Sequence, residues 1–76
     1  MRTRHPHLGF YITLDTEEMG DGKWCCRALI DGWDPLNLPD EVRGDRRDAV
    51  ETQALNAAKD MIDLHLKLCM TLNGED

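Results

Sequence analysis

Three histidines and three cysteines are the first places to look for chemistry in this 76-residue sequence. His5 and His7 share one side of an extended segment, and with Cys25 or Cys26 they would begin a zinc-type ligand set. That pair belongs to a polar terminus expected to fray, so no metal site is expected. His65 falls within the apolar arc of a long helical pattern and has no carboxylate or nucleophile beside it to form a dyad. A packing or interface histidine is expected, and next to its symmetry mate it would make association pH-sensitive. Cys25, Cys26 and Cys69 show neither C-x-x-C spacing nor an activating base, and they read as small apolar fillers. Phosphate loops, dinucleotide fingerprints and distinctive carboxylate pairs are all lacking. The sequence therefore predicts no catalytic residue, no metal and no cofactor, and it does not read as an enzyme.

What remains is the chemistry of binding. Trp33 stands between acids in Asp31-Gly-Trp-Asp-Pro35, where a turn cannot easily hide an indole ring, and exposed tryptophans are frequent hot spots. The alternative is that Trp33 folds back to cover the sheet edge. Fifteen acids against nine bases give a net charge of −6, which argues against ordinary nucleic-acid binding and favours basic partner surfaces. Ten acids and five bases lie between Asp15 and Asp48. Such an excess also serves solubility. With Trp33, the acids Asp31, Asp34, Asp40 and Glu41 are the candidate partner contacts.

The elements that must position these residues follow from periodicity. His7 to Leu14 alternates, with Leu8, Phe10, Ile12 and Leu14 on one face, as a half-buried strand does. After the polar stretch Asp15 to Gly22, Lys23 to Ile30 reads as a second strand, with Trp24, Cys26, Ala28 and Ile30 as the heavier apolar face. A short third strand is expected near Leu36 to Leu38, before Pro39 interrupts it.

The dominant pattern is a helix from Asp45 to Leu72. Asp45 is the expected N-cap and Asp48 its capping-box partner, with Asn73-Gly74 as the stop. Val50, Ala54, Ala57, Met61, Leu64 and Leu68, with Leu55, Ala58, Ile62, Cys69 and Leu72 beside them, form the expected apolar arc of roughly half the circumference, opposite Gln53, Asn56, Lys59, Asp60, Asp63 and Lys67. Near the end, Leu66 and Met70 project toward the polar side while Leu64, Leu68, Cys69 and Leu72 keep the core side. The last two turns are thus apolar nearly all round. A helix of about 27 residues spans roughly 40 Å, an eight-residue strand only about 27 Å, so the helix should overhang the sheet. Leu64, Leu66, Leu68, Cys69, Met70 and Leu72 become the candidate dimer interface.

One domain is expected over residues 1–76, with 1–7 flexible, 8–44 forming sheet and loops, and 45–73 the helix. A domain this small buries only about 60% of its unfolded surface, and oligomerisation is a natural supplement. The fold class is α+β, an antiparallel sheet of two or three strands followed by one long C-terminal helix packed on it, in the order β-β-(β)-α. An odd cysteine count implies no disulfide framework, and no apolar run has the length of a signal sequence or membrane span. A reduced, cytoplasmic setting is the expectation.

Several of these segments together resemble a known family. Gly22-Lys23-Trp24, the Asp31-Gly32 turn and Gly44-Asp45-Arg46-Arg47-Asp48-Ala49-Val50, leading into Ala54-Leu55-Asn56-Ala57-Ala58-Lys59 and Ile62-Asp63-Leu64, resemble the core of HicB-like antitoxins over residues 8–68. Leu38-Pro39-Asp40 is a faint echo of that family's proline-aspartate-leucine-proline-glycine segment, and after the helix no room is expected for the separate DNA-binding element that many such antitoxins carry. The resemblance implies a sheet and helix that bind a protein partner. A second reading that size and acidity allow is a phage-borne inhibitor of host defence, of the anti-CRISPR kind, imitating nucleic acid with carboxylates. The expected function is non-catalytic: a homodimeric regulator or inhibitor that sequesters a basic protein such as a nuclease or nucleic-acid-binding complex. A small structural or accessory subunit is the alternative.

Overall fold

A computed structural model describes residues 2–34 and 38–72, with helix side chains described as far as Cys69. It contains an antiparallel sheet of β1 (Arg2–His7), β2 (Phe10–Gly20), β3 (Lys23–Ile30) and β4 (Val42–Gly44), followed by α1 (Arg47–Leu72). The strands lie in chain order β1-β2-β3-β4. This is the expected α+β arrangement, with more sheet than the sequence predicts.

The extra strand is the segment expected to be flexible. Arg2–His7 pairs with β2 from Arg2 opposite Asp15 to His7 opposite Phe10. The alternation from His7 to Leu14 is broken by a two-residue turn at Leu8 and Gly9, both at positive φ (+51° and +90°), as a type I′ hairpin requires. Leu8, expected to face the core, is instead 61% exposed at the tip. The second hairpin uses the same device at Asp21 and Gly22 (φ +56° and +74°), and β2 runs on to Gly20 with a bulge between Glu18 and Gly20. What reads as a long polar loop is therefore mostly strand.

β3 has the predicted bounds, and β2 and β3 place Ile12 opposite Ile30, Leu14 opposite Ala28 and Thr16 opposite Cys26. These six side chains form the buried face of the sheet. Of the third strand expected near Leu36 to Leu38, Leu36 lies outside the described residues and Leu38 packs against the core without joining a strand. The pairing comes later, with Val42 opposite Cys26 and Gly44 opposite Trp24. A Cβ on Gly44 would sit 3.0 Å from Cγ1 of Val50, so the absence of a side chain lets β4 approach the helix start.

The helix begins at Arg47, and the Val50 amide donates to the Arg46 carbonyl at 3.1 Å. Asp45 is not its cap. Lys23 Nζ donates to Asp45 Oδ1 at 2.6 Å and draws the carboxylate to the sheet. The buried stripe is one edge of the expected apolar arc rather than its centre. Val50, Ala54, Ala58 and Ile62 are buried and Leu66 packs against them, all in steps of four. The physical reason is close approach: Ala54 and Ala58, in the middle of that row, bring the helix backbone onto the sheet, with larger side chains filling the ends. Ala57 and Met61 are only half-buried, and Leu64 and Leu68 are 57% and 54% exposed. The assignment of Leu66 to the polar side and of Leu64 and Leu68 to the core side is thus reversed.

Among the described residues, one buried polar side chain lies in this interface. Thr16, 2% exposed, donates to Glu51 Oε2 at 2.7 Å, and its hydroxyl also lies 3.5 Å from Cys26 Sγ. Burial pushes the Cys26 thiol pKa up, so the group is held neutral.

Candidate protein-binding groove

After Ile30 the chain turns through Asp31 and Gly32, with Gly32 at φ +84° and the Trp33 amide donating to the Ile30 carbonyl at 3.0 Å. That turn aims Trp33 at the C-terminal half of α1. Its ring centroid lies 5.2 Å from that of His65 and 6.0 Å from that of Phe10, and Phe10 and His65 are 6.2 Å apart. All three pairs are edge-on, the arrangement that aromatic quadrupoles favour. Trp33 is therefore half-buried as a lid over the end of the sheet, with part of its surface still available.

Between this lid and the helix runs a groove of about 710 Å³, walled by Trp33, Asp34 and Leu38 on one side and by Met61, Leu64 and Leu68 on the other. The structure thus joins two features that the sequence treats separately, the tryptophan of the β3–β4 connection and the apolar end of the helix. Met61, His65 and Leu38 complete the groove and were not among the expected site residues. Of these only Met61 had a signal in the sequence: once the four-step row is given to the core, Ala57, Met61, Leu64 and Leu68 remain as a second stripe, whereas Leu38 and His65 join the groove through the folding of the β3–β4 connection onto the helix. Cys69 is exposed, with Sγ 3.8 Å from His65 Nε2. The side chains of Met70 and Leu72 lie outside the described residues.

The four candidate acids are less alike than their sequence implies. Arg4 donates to Asp31 at 2.6 Å while its guanidinium covers the Tyr11 ring at 4.5 Å. Glu41 accepts from Arg43 at 2.8 Å and from Arg27 at 3.3 Å, and the Arg43 hydrogen bond holds its carboxyl pKa below the ordinary range. Asp34 stands on the groove wall, and Asp40 is exposed. On the uncovered face of the sheet, Arg2 stands opposite Asp15 and Asp15 opposite Arg27. Among the described residues, Glu17, Glu18, Asp21, Asp40 and Asp60 make no ion pair with one another or with any base.

His5 and His7 do not converge on the cysteines. His7 pairs with Asp63 at 2.9 Å, and His5 with Thr3 at 2.9 Å. Among the described residues, no three His, Cys, Asp or Glu side chains are grouped to hold a metal ion, and no helix is long and apolar enough to cross a membrane. Comparison with protein-family models, curated proteins and solved structures finds no match for this chain.

Proposed function

We infer that this protein is a non-catalytic, homodimeric regulator or inhibitor acting in the cytoplasm, one that sequesters a protein partner with a basic surface. The observation carrying this reading is the groove between Trp33 and the exposed Leu64 and Leu68, an apolar floor with Asp34 on its wall. Exposed leucines on adjacent helical turns beside a half-buried tryptophan are the composition of an interface centre, and the surrounding acids supply an electrostatic rim. Of those acids, Asp40 is exposed and has more to offer a partner than Asp31 and Glu41, which arginines of this chain already neutralise in part. The mechanism is steric occlusion of the partner, with charge complementarity accelerating encounter.

The test is affinity capture from a bacterial lysate at low and high salt with wild-type and Trp33→Ala bait, together with light scattering of the bait alone. The expected result is a dimer that retains a basic protein at low salt and loses it both at high salt and on removal of the indole. Capture indifferent to salt and to Trp33 ends the sequestration reading.

A further inference from the structure

We propose that the basic partner enters the groove as a helix: an amphipathic helix laid along α1, its apolar row against Met61, Leu64 and Leu68 and a lysine or arginine of its flank beside Asp60. This rests on the sequestration reading and names the form in which the partner is held.

The first observation is what the groove walls lack. One wall is the β3–β4 connection and the other is α1, and none of the described residues that line them belongs to a strand. The Trp33 amide is already given to the Ile30 carbonyl at 3.0 Å, and between Met61 and Leu68 the helix backbone is bonded to itself. An extended segment would find no ladder to join, and its amides and carbonyls would lie unpaired against the leucines, a heavy loss in an apolar site. A helix arrives with those bonds already made.

The second observation is spacing. The buried row Val50, Ala54, Ala58, Ile62 and Leu66 steps by four and drifts around the helix, whereas Ala57, Met61, Leu64 and Leu68 step by four, three and four and hold one line along it. That is the line along which a second helix interlocks.

The third observation is charge. Asp60 is exposed, stands one turn before Leu64 on the side away from the sheet, and among the described residues makes no ion pair. Its charged neighbours are engaged within the chain: Asp63 pairs with His7 at 2.9 Å, and Asp34 and Lys67 have interactions of their own. Asp60 therefore sets the sign of this rim, and a cation on the partner helix complements it.

The experiment measures binding of dye-labelled synthetic peptides of about 18 residues, five helical turns, by fluorescence anisotropy. One peptide carries a leucine row at helical spacing flanked by lysines; the others have glutamates for lysines, the same residues scrambled, or a central proline. The lysine peptide should bind and gain helicity, the glutamate peptide should bind about tenfold more weakly, and the scrambled and proline peptides should not bind. Leu64→Glu should abolish binding. Asp60→Lys should narrow the lysine preference by about fivefold, and Glu17→Lys, the same charge change on the uncovered sheet face, should narrow it less. Leu64, Asp60 and Glu17 are exposed, so these variants should fold, which circular dichroism checks. Equal effects of the two charge reversals, a proline peptide that binds as well as the helical one, or no binding by any peptide overturns the proposal. So does a wild-type mass that halves as the lysine peptide is added, which makes a second copy the occupant. Protein captured from lysate in a salt- and Trp33-dependent way that the lysine peptide fails to displace overturns the helical occupant alone, whereas capture indifferent to salt and Trp33 ends the sequestration reading with it.

Discussion

The rings of Trp33 and His65 meet at 5.2 Å and an interplanar angle of 63°, which fastens the β3–β4 connection to the helix more than thirty residues later in the chain. Trp33 therefore has both a structural and a binding side. Trp33→Ala should cost about 1–2 kcal/mol of unfolding free energy in urea, from lost aromatic contacts and exposed Phe10, and it should also empty the groove's wall. Trp33→Phe keeps an edge-on neighbour for Phe10 and should recover most of the stability. If the two variants unfold at the wild-type midpoint, Trp33 does not lid the sheet.

The two helical rows should separate by mutation. Ile62→Ala opens a cavity in the sheet–helix core and should cost about 2–4 kcal/mol at any protein concentration. Leu64→Ala, only two residues on, removes an exposed side chain and should leave the unfolding midpoint of dilute protein within about 0.5 kcal/mol of wild type. If the proposed homodimer forms through this stripe, the Leu64 variant should lose stability in concentrated protein, where a second copy covers the site. Equal costs for both in dilute protein would mean that Leu64 belongs to the monomer's core.

The tip of the first hairpin contains a residue unsuited to its backbone. Leu8 holds φ at +51° with its side chain 61% exposed, so it has a conformational cost and little burial to offset it. Leu8→Asn should stabilise the protein by roughly 0.5–1 kcal/mol, because asparagine tolerates that region and favours type I′ turns. Thermal unfolding would measure it, and a lower midpoint would mean that Leu8 makes an apolar contact worth more than its strain.

This same leucine explains part of what the sequence concealed. The alternation Leu8, Phe10, Ile12, Leu14 is a correct reading of the residues from Phe10 onward, but a leucine at a left-handed position gives no turn signal, so in the sequence β1 reads as a loose end. The unaided alternation in β3 was legible because its whole inner face is apolar. The helix was legible in extent and illegible in rotation: two apolar rows overlap on it, and only the twist and close approach of the sheet decide which is buried. For the same reason the groove could not be read ahead, as it needs Trp33 folded against a helix face that the sequence assigned to the core. The inner pairing of Asp31 and Glu41 with Arg4, Arg27 and Arg43 likewise depends on strand register, which composition does not encode.

Acid should loosen the fold through two tethered carboxylates. The hydrogen bond from Lys23 lowers the Asp45 pKa, and that from Arg43 lowers the Glu41 pKa. Each group therefore binds its proton at higher pH in the unfolded chain than in the folded one. The stabilisation is complete above the ordinary carboxylate range, about pH 4, and is lost as the pH falls through the lower folded values. Urea midpoints should decline across that acidic window, and the decline should be shallower in Lys23→Gln and Arg43→Gln. Both carboxylates lie at the surface, so added salt should shrink the difference between wild type and variants. A difference that salt leaves unchanged would place its origin elsewhere.

The cysteines offer a chemical readout of the same architecture. Cys26 is fully buried beneath the helix with its thiol pKa pushed up by burial, whereas Cys69 is exposed on the helix beyond the sheet and Cys25 lies half-buried on the uncovered face. The thiolate is the form that alkylates, so Cys69 should react first with iodoacetamide, Cys25 more slowly, and Cys26 only when the helix lifts from the sheet. Because the Cys26 pKa is raised in the fold, its contribution to stability is intact below the unfolded thiol pKa and disappears as the pH climbs through the folded one. Mass spectrometry of the time course separates the three sites. Modification of Cys26 as fast as Cys69 under native conditions would mean that α1 does not rest on the face formed by Leu14, Cys26 and Ala28, and with it the groove beside the exposed Leu64 and Leu68 would lose its foundation.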